Sequence, residues 1–151
     1  MISTTSTAAT SGFSLIDLMI TIVIASVLAA IAIPGYRDHT QRSAVAEVTS
    51  QLMIVKLKLE QFYQDNRHFG AETNGNNCGI TLPTQRNFTY TCTTQNLGQS
   101  YLITASGIQG QGMQEFEYTL DGSGMQRTTR IPRQWGTPPL NCWILKRNMA
   151  C

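Results

Sequence analysis

Charge is scarce in this chain. Asp, Glu, Lys and Arg make up only 13% of its 151 residues, about half the share of an ordinary soluble domain. Eleven basic against nine acidic side chains leave a formal net charge of +2. That is too little for a protein that coats nucleic acid through its overall charge. Histidine occurs twice, and neither His39 nor His68 has a carboxylate or serine at a spacing that suggests a catalytic partner. There is no G-x-S-x-G, no H-E-x-x-H and no phosphate-binding glycine loop, so the chain carries no familiar hydrolytic, zinc-protease or nucleotide signature. The lack of C-x-x-C and of close Cys–His spacing argues against a zinc site and against a thiol-redox enzyme. No cofactor or metal is implied. Polarity comes instead from Thr, Gln, Asn, Ser and Gly. An apolar share of 42% is too high for full disorder, and the length suits about one domain.

The distribution along the chain is more informative. From Phe13 to Ile33 the sequence reads FSLIDLMITIVIASVLAAIAI. As a helix this run is about 30 Å long, enough to cross a bilayer. Its only charge is Asp17, and Leu18 to Ile33 carry none. A secretory signal peptide has a cationic start and a shorter apolar stretch, whereas Met1 to Gly12 contain no Lys or Arg. A simple anchor fits the length but leaves the acid unexplained. A carboxylate in hydrocarbon costs roughly 2.5–3.5 kcal/mol and calls for a partner, and no basic side chain lies within two helical turns. A cut between Gly12 and Phe13 would create one, because the new α-amino group would stand four residues before Asp17, on the same helix face. The same pair can form between neighbouring chains, which would tie burial of the charge to assembly.

Gly12, Phe13, Asp17, Pro34 and Tyr36, with the apolar run between them, resemble the N-terminal signature of type IV pilins. The resemblance implies cleavage after Gly12 and N-methylation of Phe13 by a prepilin peptidase. It also implies residence in the bacterial inner membrane, with the C-terminal part periplasmic, and then transfer by the inner-membrane assembly machinery into a helical pilus of like subunits. The family acid is normally Glu, so Asp17 is one methylene shorter and reaches about 1.5 Å less. That suits a minor subunit. A mid-run glycine of the family is Ser26 here, and the leader lacks basic residues, leaving orientation to the N-terminal amine.

Pro34-Gly35 should kink or locally melt the helix near Ala30 to Gly35. Val45, Val48, Leu52, Val55, Leu59 and Phe62 then recur at spacings of three and four, a stripe expected to pack on a sheet. Asp65-Asn66-Arg67 and Gly70 should end the helix, and residues 70–77 read as loop. Phe88–Cys92, Tyr101–Ala105, Phe116–Leu120 and Met125–Ile131 read as strands, with Asp121-Gly122 as a hairpin turn. No helical pattern separates them, so an antiparallel meander is expected. The fold class is α+β: a long kinked N-terminal helix on a four-stranded antiparallel sheet, as the resemblance also implies. The divisions are a leader at 1–12, a transmembrane and fibre-core helix at 13–34, an amphipathic periplasmic helix at 35–66, and the sheet with its loops at 67–151.

Cys78, Cys92, Cys142 and Cys151 lie outside the apolar run, as in an oxidising periplasm. Four cysteines allow three pairings. Nearest-neighbour pairing, Cys78–Cys92 with Cys142–Cys151, closes two short loops worth about 2–3 kcal/mol each. The C-terminal pair resembles the disulfide-bounded loop of type IV pilins, and the whole arrangement is most similar to PilE-type minor pilins. Trp135, Trp143 and Tyr101 read as packing residues rather than a ligand-stacking set. From Met125 to Cys151 there are five basic residues, Arg127, Arg130, Arg133, Lys146 and Arg147, and no acid. The plain interpretation is a solvated or subunit-contact surface, and the sharper one is a DNA-contacting patch. The expected function is that of a structural subunit, minor rather than major, in pilus assembly, twitching motility and adhesion. A DNA-binding pilin for transformation and a type II secretion pseudopilin are the alternatives.

Overall fold

The computed structural model of the chain describes residues 14–70 and 78–151. Its regular structure is one helix, α1 (Leu15–Asn66), followed by four strands, β1 (Phe88–Gln95), β2 (Ser100–Gly107), β3 (Glu117–Asp121) and β4 (Gln126–Arg130). The chain divides into two compact units, Met1–Asp38 and His39–Cys151.

From Leu18 to Ile33 α1 carries no charge and is apolar on every side. Leu18, Ile20, Ile22, Val23, Ile24, Val27 and Leu28 each keep between 52% and 63% of their surface exposed. A helix of this kind is one that lipid or other helices must cover. Among the described residues α1 is the one helix long and apolar enough to cross a membrane. Its helical backbone continues through Pro34 and Gly35 without interruption. Local melting, one of the two outcomes expected there, does not occur. Proline's fixed φ is itself helical, and only one backbone donor is lost.

In the second unit the stripe Val45, Val48, Leu52, Val55 and Leu59 is fully buried, giving the helix a face on which to pack. The sheet is a meander in the order β1-β2-β3-β4, with every neighbouring pair antiparallel. Alternation along each strand sends Phe88, Tyr90, Cys92, Tyr101, Ile103, Ala105, Tyr118 and Leu120 into the same core. Each of the large apolar side chains among them, such as Phe88, Ile103 and Leu120, contributes about 1.5–3 kcal/mol. Aromatic rings tie the helix end to the sheet: Tyr63 stacks on Phe69 at 4.7 Å, and Phe69 meets Tyr101 edge-on at 4.6 Å. The helix stops where Arg67 turns left-handed, at φ 64°.

The strands run as the sequence pattern suggests, with β1 and β2 each longer than expected. After β4 the C-terminal segment folds back along the sheet edge. Thr128 exchanges two backbone hydrogen bonds with Leu140, at 2.9 and 3.0 Å. Its hydroxyl donates to the Cys142 carbonyl at 2.7 Å and accepts the Ile144 N–H at 3.0 Å. The Tyr118 hydroxyl donates to the Ile144 carbonyl, and the Trp143 indole donates to the Thr119 carbonyl. Cys78 is bonded to Cys92 and Cys142 to Cys151, with Cα atoms 5.7 and 5.6 Å apart. Trp135, Trp143 and Tyr101 are all buried in the core.

Candidate functional site

Two regions carry the residues that the sequence singles out. The first is the start of α1. Asp17 lies in its first turn, and its carboxylate accepts the Ser14 backbone N–H at 3.3 Å. A negative charge here is favoured by the exposed amides and by the helix dipole. Two polar residues inside the apolar run satisfy themselves locally. Thr21 donates to the carbonyls of Asp17 and Leu18, and Ser26 donates to that of Val23. Such back-bonding lets hydroxyl groups enter an apolar environment without a partner helix. Gly12 and Phe13 lie outside the described residues.

The second region is the outward face of β3 and β4 with the C-terminal loop. Because Thr128 is tied to Leu140, Cys142 and Ile144, the loop carrying Lys146 and Arg147 is docked beside the strand carrying Arg127 and Arg130. The five basic residues do not stand alike. Arg130 forms an ion pair with Glu117 at 3.2 Å. Arg127 places Nε and a terminal nitrogen 3.1 and 2.9 Å from the Met125 sulfur, and its charge acts on Asp121. Arg147 is partly buried, whereas Arg133 and Lys146 are exposed. Asp121 organises the β3–β4 turn. Its carboxylate accepts the N–H groups of Ser123 and Met125, each at 3.0 Å, and the Ser123 hydroxyl. Partial burial pushes the Asp121 carboxyl up, but these hydrogen bonds and Arg127 outweigh it and hold it below its ordinary value.

The sequence count of acids after Met125 missed Glu117 and Asp121. They stand on the neighbouring strand, and only the pairing register brings them beside the arginines. The signal was the Asp121-Gly122 turn, which folds β4 back onto an acid-bearing β3.

A family model described as the type IV minor pilin ComP, DNA uptake sequence receptor, matches residues 34–115, more than half of the chain. The fimbrial protein EcpC of Eikenella corrodens is 30% identical over 120 residues, covering 74% of this chain and 77% of EcpC. The chain is a type IV pilin. The major fimbrial protein FimA of Dichelobacter nodosus is 41% identical to the pilin over 63 residues, 42% of this chain and 39% of FimA. PilE1 of Neisseria gonorrhoeae is 36% identical over 72 residues, 48% of this chain and 42% of PilE1. The pilin thus matches less than half the length of these two relatives. A solved type IV pilin from Shewanella oneidensis superposes with a TM-score of 0.47 at 15% identity, over 57% of this chain and 89% of that one.

As a type IV pilin the protein is a structural subunit that assembles with other pilin subunits into pilus fibres. The family match begins at Pro34 and ends before β3. It therefore contains the amphipathic half of α1 with β1 and β2, but neither Asp17 nor any of the five basic residues. Elsewhere the pilin has a shallow groove lined by Lys58, Gln61, Phe62, Asp65, Ile80 and Thr81. His39 is exposed, and His68 packs edge-on against Phe62 at 5.8 Å. Among the described residues no three His, Cys, Asp or Glu side chains are grouped to hold a metal.

Proposed function

We propose that this pilin is a minor subunit that brings DNA to the pilus through the cationic surface of β4 and the C-terminal loop. The observation that carries this reading is the match of residues 34–115 to a family described as a DNA uptake sequence receptor. The basic residues lie outside the matched stretch and supply a separate, electrostatic reason. Arg133 and Lys146 are exposed, Arg127 and Arg130 lie on β4, and the segment that carries Lys146 and Arg147 is tied to β4 through Thr128. Phosphate contacts of this kind give affinity that falls with salt and, acting alone, no sequence preference. The test is charge reversal. Pili sheared from cells carrying Arg127→Glu, Arg133→Glu and Lys146→Glu together are expected to lose DNA retention while pilus yield stays unchanged. Undiminished retention would end this reading.

Before assembly, the subunit is cut between Gly12 and Phe13 by a prepilin peptidase and methylated at Phe13. It waits in the inner membrane with residues 13–34 in lipid and the remainder in the periplasm. The assembly machinery then draws it into the fibre. Asp17 pairs there with an amine freed by the cut, and Pro34 marks where the buried segment ends. Support for this account comes from the Gly12–Phe13 signature, the all-round apolar surface of the first unit and the acid at its head. Mass spectrometry of purified fibres tests it directly, since the expected N-terminus is methylated Phe13 and an intact Met1 would contradict it.

A further inference from the structure

We infer that Glu117 restrains the DNA-contacting surface by withholding Arg130 from phosphate. This rests on the DNA reading above and deepens it. Glu117 begins β3 on the outward face of the sheet, and the register sets Arg130 opposite it. The Glu117 side chain is 27% exposed and that of Arg130 52%. Three donors converge on the carboxyl group: the Arg130 guanidinium at 3.2 Å, the Thr129 hydroxyl at 2.8 Å and the Ser106 hydroxyl at 3.0 Å.

The two hydroxyls decide the matter. An ordinary surface ion pair is weak, and its partners exchange freely with solvent and salt. Here the acid is pinned by neutral donors from the strands on either side, Ser106 on β2 and Thr129 on β4. It therefore stays in place when Arg130 swings away. A phosphate that takes Arg130 must accept a fixed negative charge at contact distance, and like charges that close repel. Arg127 is not held in the same way: its guanidinium lies against the Met125 sulfur, and the Asp121 carboxylate accepts the turn amides instead. Arg133 and Lys146 have neither an ion pair nor a side-chain hydrogen bond among the described residues. The effective cations of the native surface are then Arg133, Lys146 and Arg127, and Glu117 sets how far Arg130 joins them.

The experiment uses the full-length protein in detergent micelles and a labelled DNA duplex, with fluorescence anisotropy read from about 50 to 200 mM salt. Glu117→Gln keeps an acceptor for the hydroxyls and removes the charge. It is expected to bind about threefold tighter at the low-salt end, with the slope of log affinity against log salt steeper by about one. Adding Arg130→Gln to that variant should erase both gains, and Glu117→Asp, which keeps the charge, should show the native slope. Glu117→Thr, which suits an exposed strand position, serves in place of the amide should that variant melt non-cooperatively. Native protein that binds the duplex with a slope unaltered by loss of the Glu117 charge would overturn the inference. Failure of every form to bind would instead remove the DNA reading, and this inference with it.

Discussion

Leu97 is the residue whose backbone and side chain are both at odds with their surroundings. It sits in the β1–β2 turn at φ 58°, between Asn96 at 52° and Gly98 at 75°, and 80% of its surface is exposed. The left-handed region costs an ordinary side chain about 1–2 kcal/mol, and asparagine tolerates it far better. Leu97→Asn should therefore stabilise the second unit by about 1 kcal/mol, seen as a higher urea midpoint with an unchanged denaturant slope. Gly107 is the opposite case, a position with no spare room. A methyl group there would lie 1.7 Å from the Met113 carbonyl oxygen, a backbone atom that cannot rotate away. Gly107→Ala should destabilise by about 3 kcal/mol in the same urea titration. Asp121 gives a pH dependence with a definite sign. Its folded-state pKa is lowered, so its contribution is present above the unfolded carboxylate pKa and is lost as pH falls through the lower folded value. The native protein should thus weaken in acid more steeply than Asp121→Asn, as monitored by thermal unfolding between about pH 5 and pH 2.

At the scale of elements, the amphipathic half of α1 and the four strands were legible because each has a strong period. The stripe from Val45 to Leu59 repeats at helical spacing, and β1 alternates buried and exposed along its whole length. The folding back of the C-terminal segment was not legible. It rests on long-range contacts, among them those of Thr128, whose hydroxyl bonds two separate residues of the loop. Nothing local in QRTTR distinguishes that threonine from Thr129, which points to the other face. The same limit hid Glu117 from the charge count, since cross-strand neighbours depend on register, and here a bulge between Glu117 and Tyr118 shifts it. Thr128→Val keeps the shape but removes one donor and one acceptor, leaving the Ile144 N–H buried and unpaired. It should destabilise by about 2–3 kcal/mol and expose Trp143, a loss readable as a red shift in tryptophan emission. An equal loss without that shift would place the Thr128 contribution in β4 rather than in the loop.

For the whole molecule, the consequential fact is a helix that is greasy on every side in the first unit. The length and composition of that run were plain in the sequence, and so was the oddity of Asp17. Its local partner, the Ser14 amide, was not, because side-chain reach within a helical turn is a matter of geometry. Moving such a helix from lipid to a bundle of like helices exchanges one apolar environment for another, so burial alone gives assembly little direction. Direction must come from close packing and from a polar partner that lipid cannot supply. The amide hydrogen bond satisfies part of the carboxylate in any setting, whereas the amine that the proposed cut would free would satisfy the charge. Asp17→Ala should therefore be processed and held in the membrane normally, yet fall by about tenfold in sheared fibres, an energy of about 1.4 kcal/mol. Asp17→Glu, longer by one methylene and still charged, should enter fibres at least as well as the native chain. Quantitative immunoblots of membrane and pilus fractions measure both. Equal entry of the alanine variant would show that helix packing alone drives this subunit into the fibre.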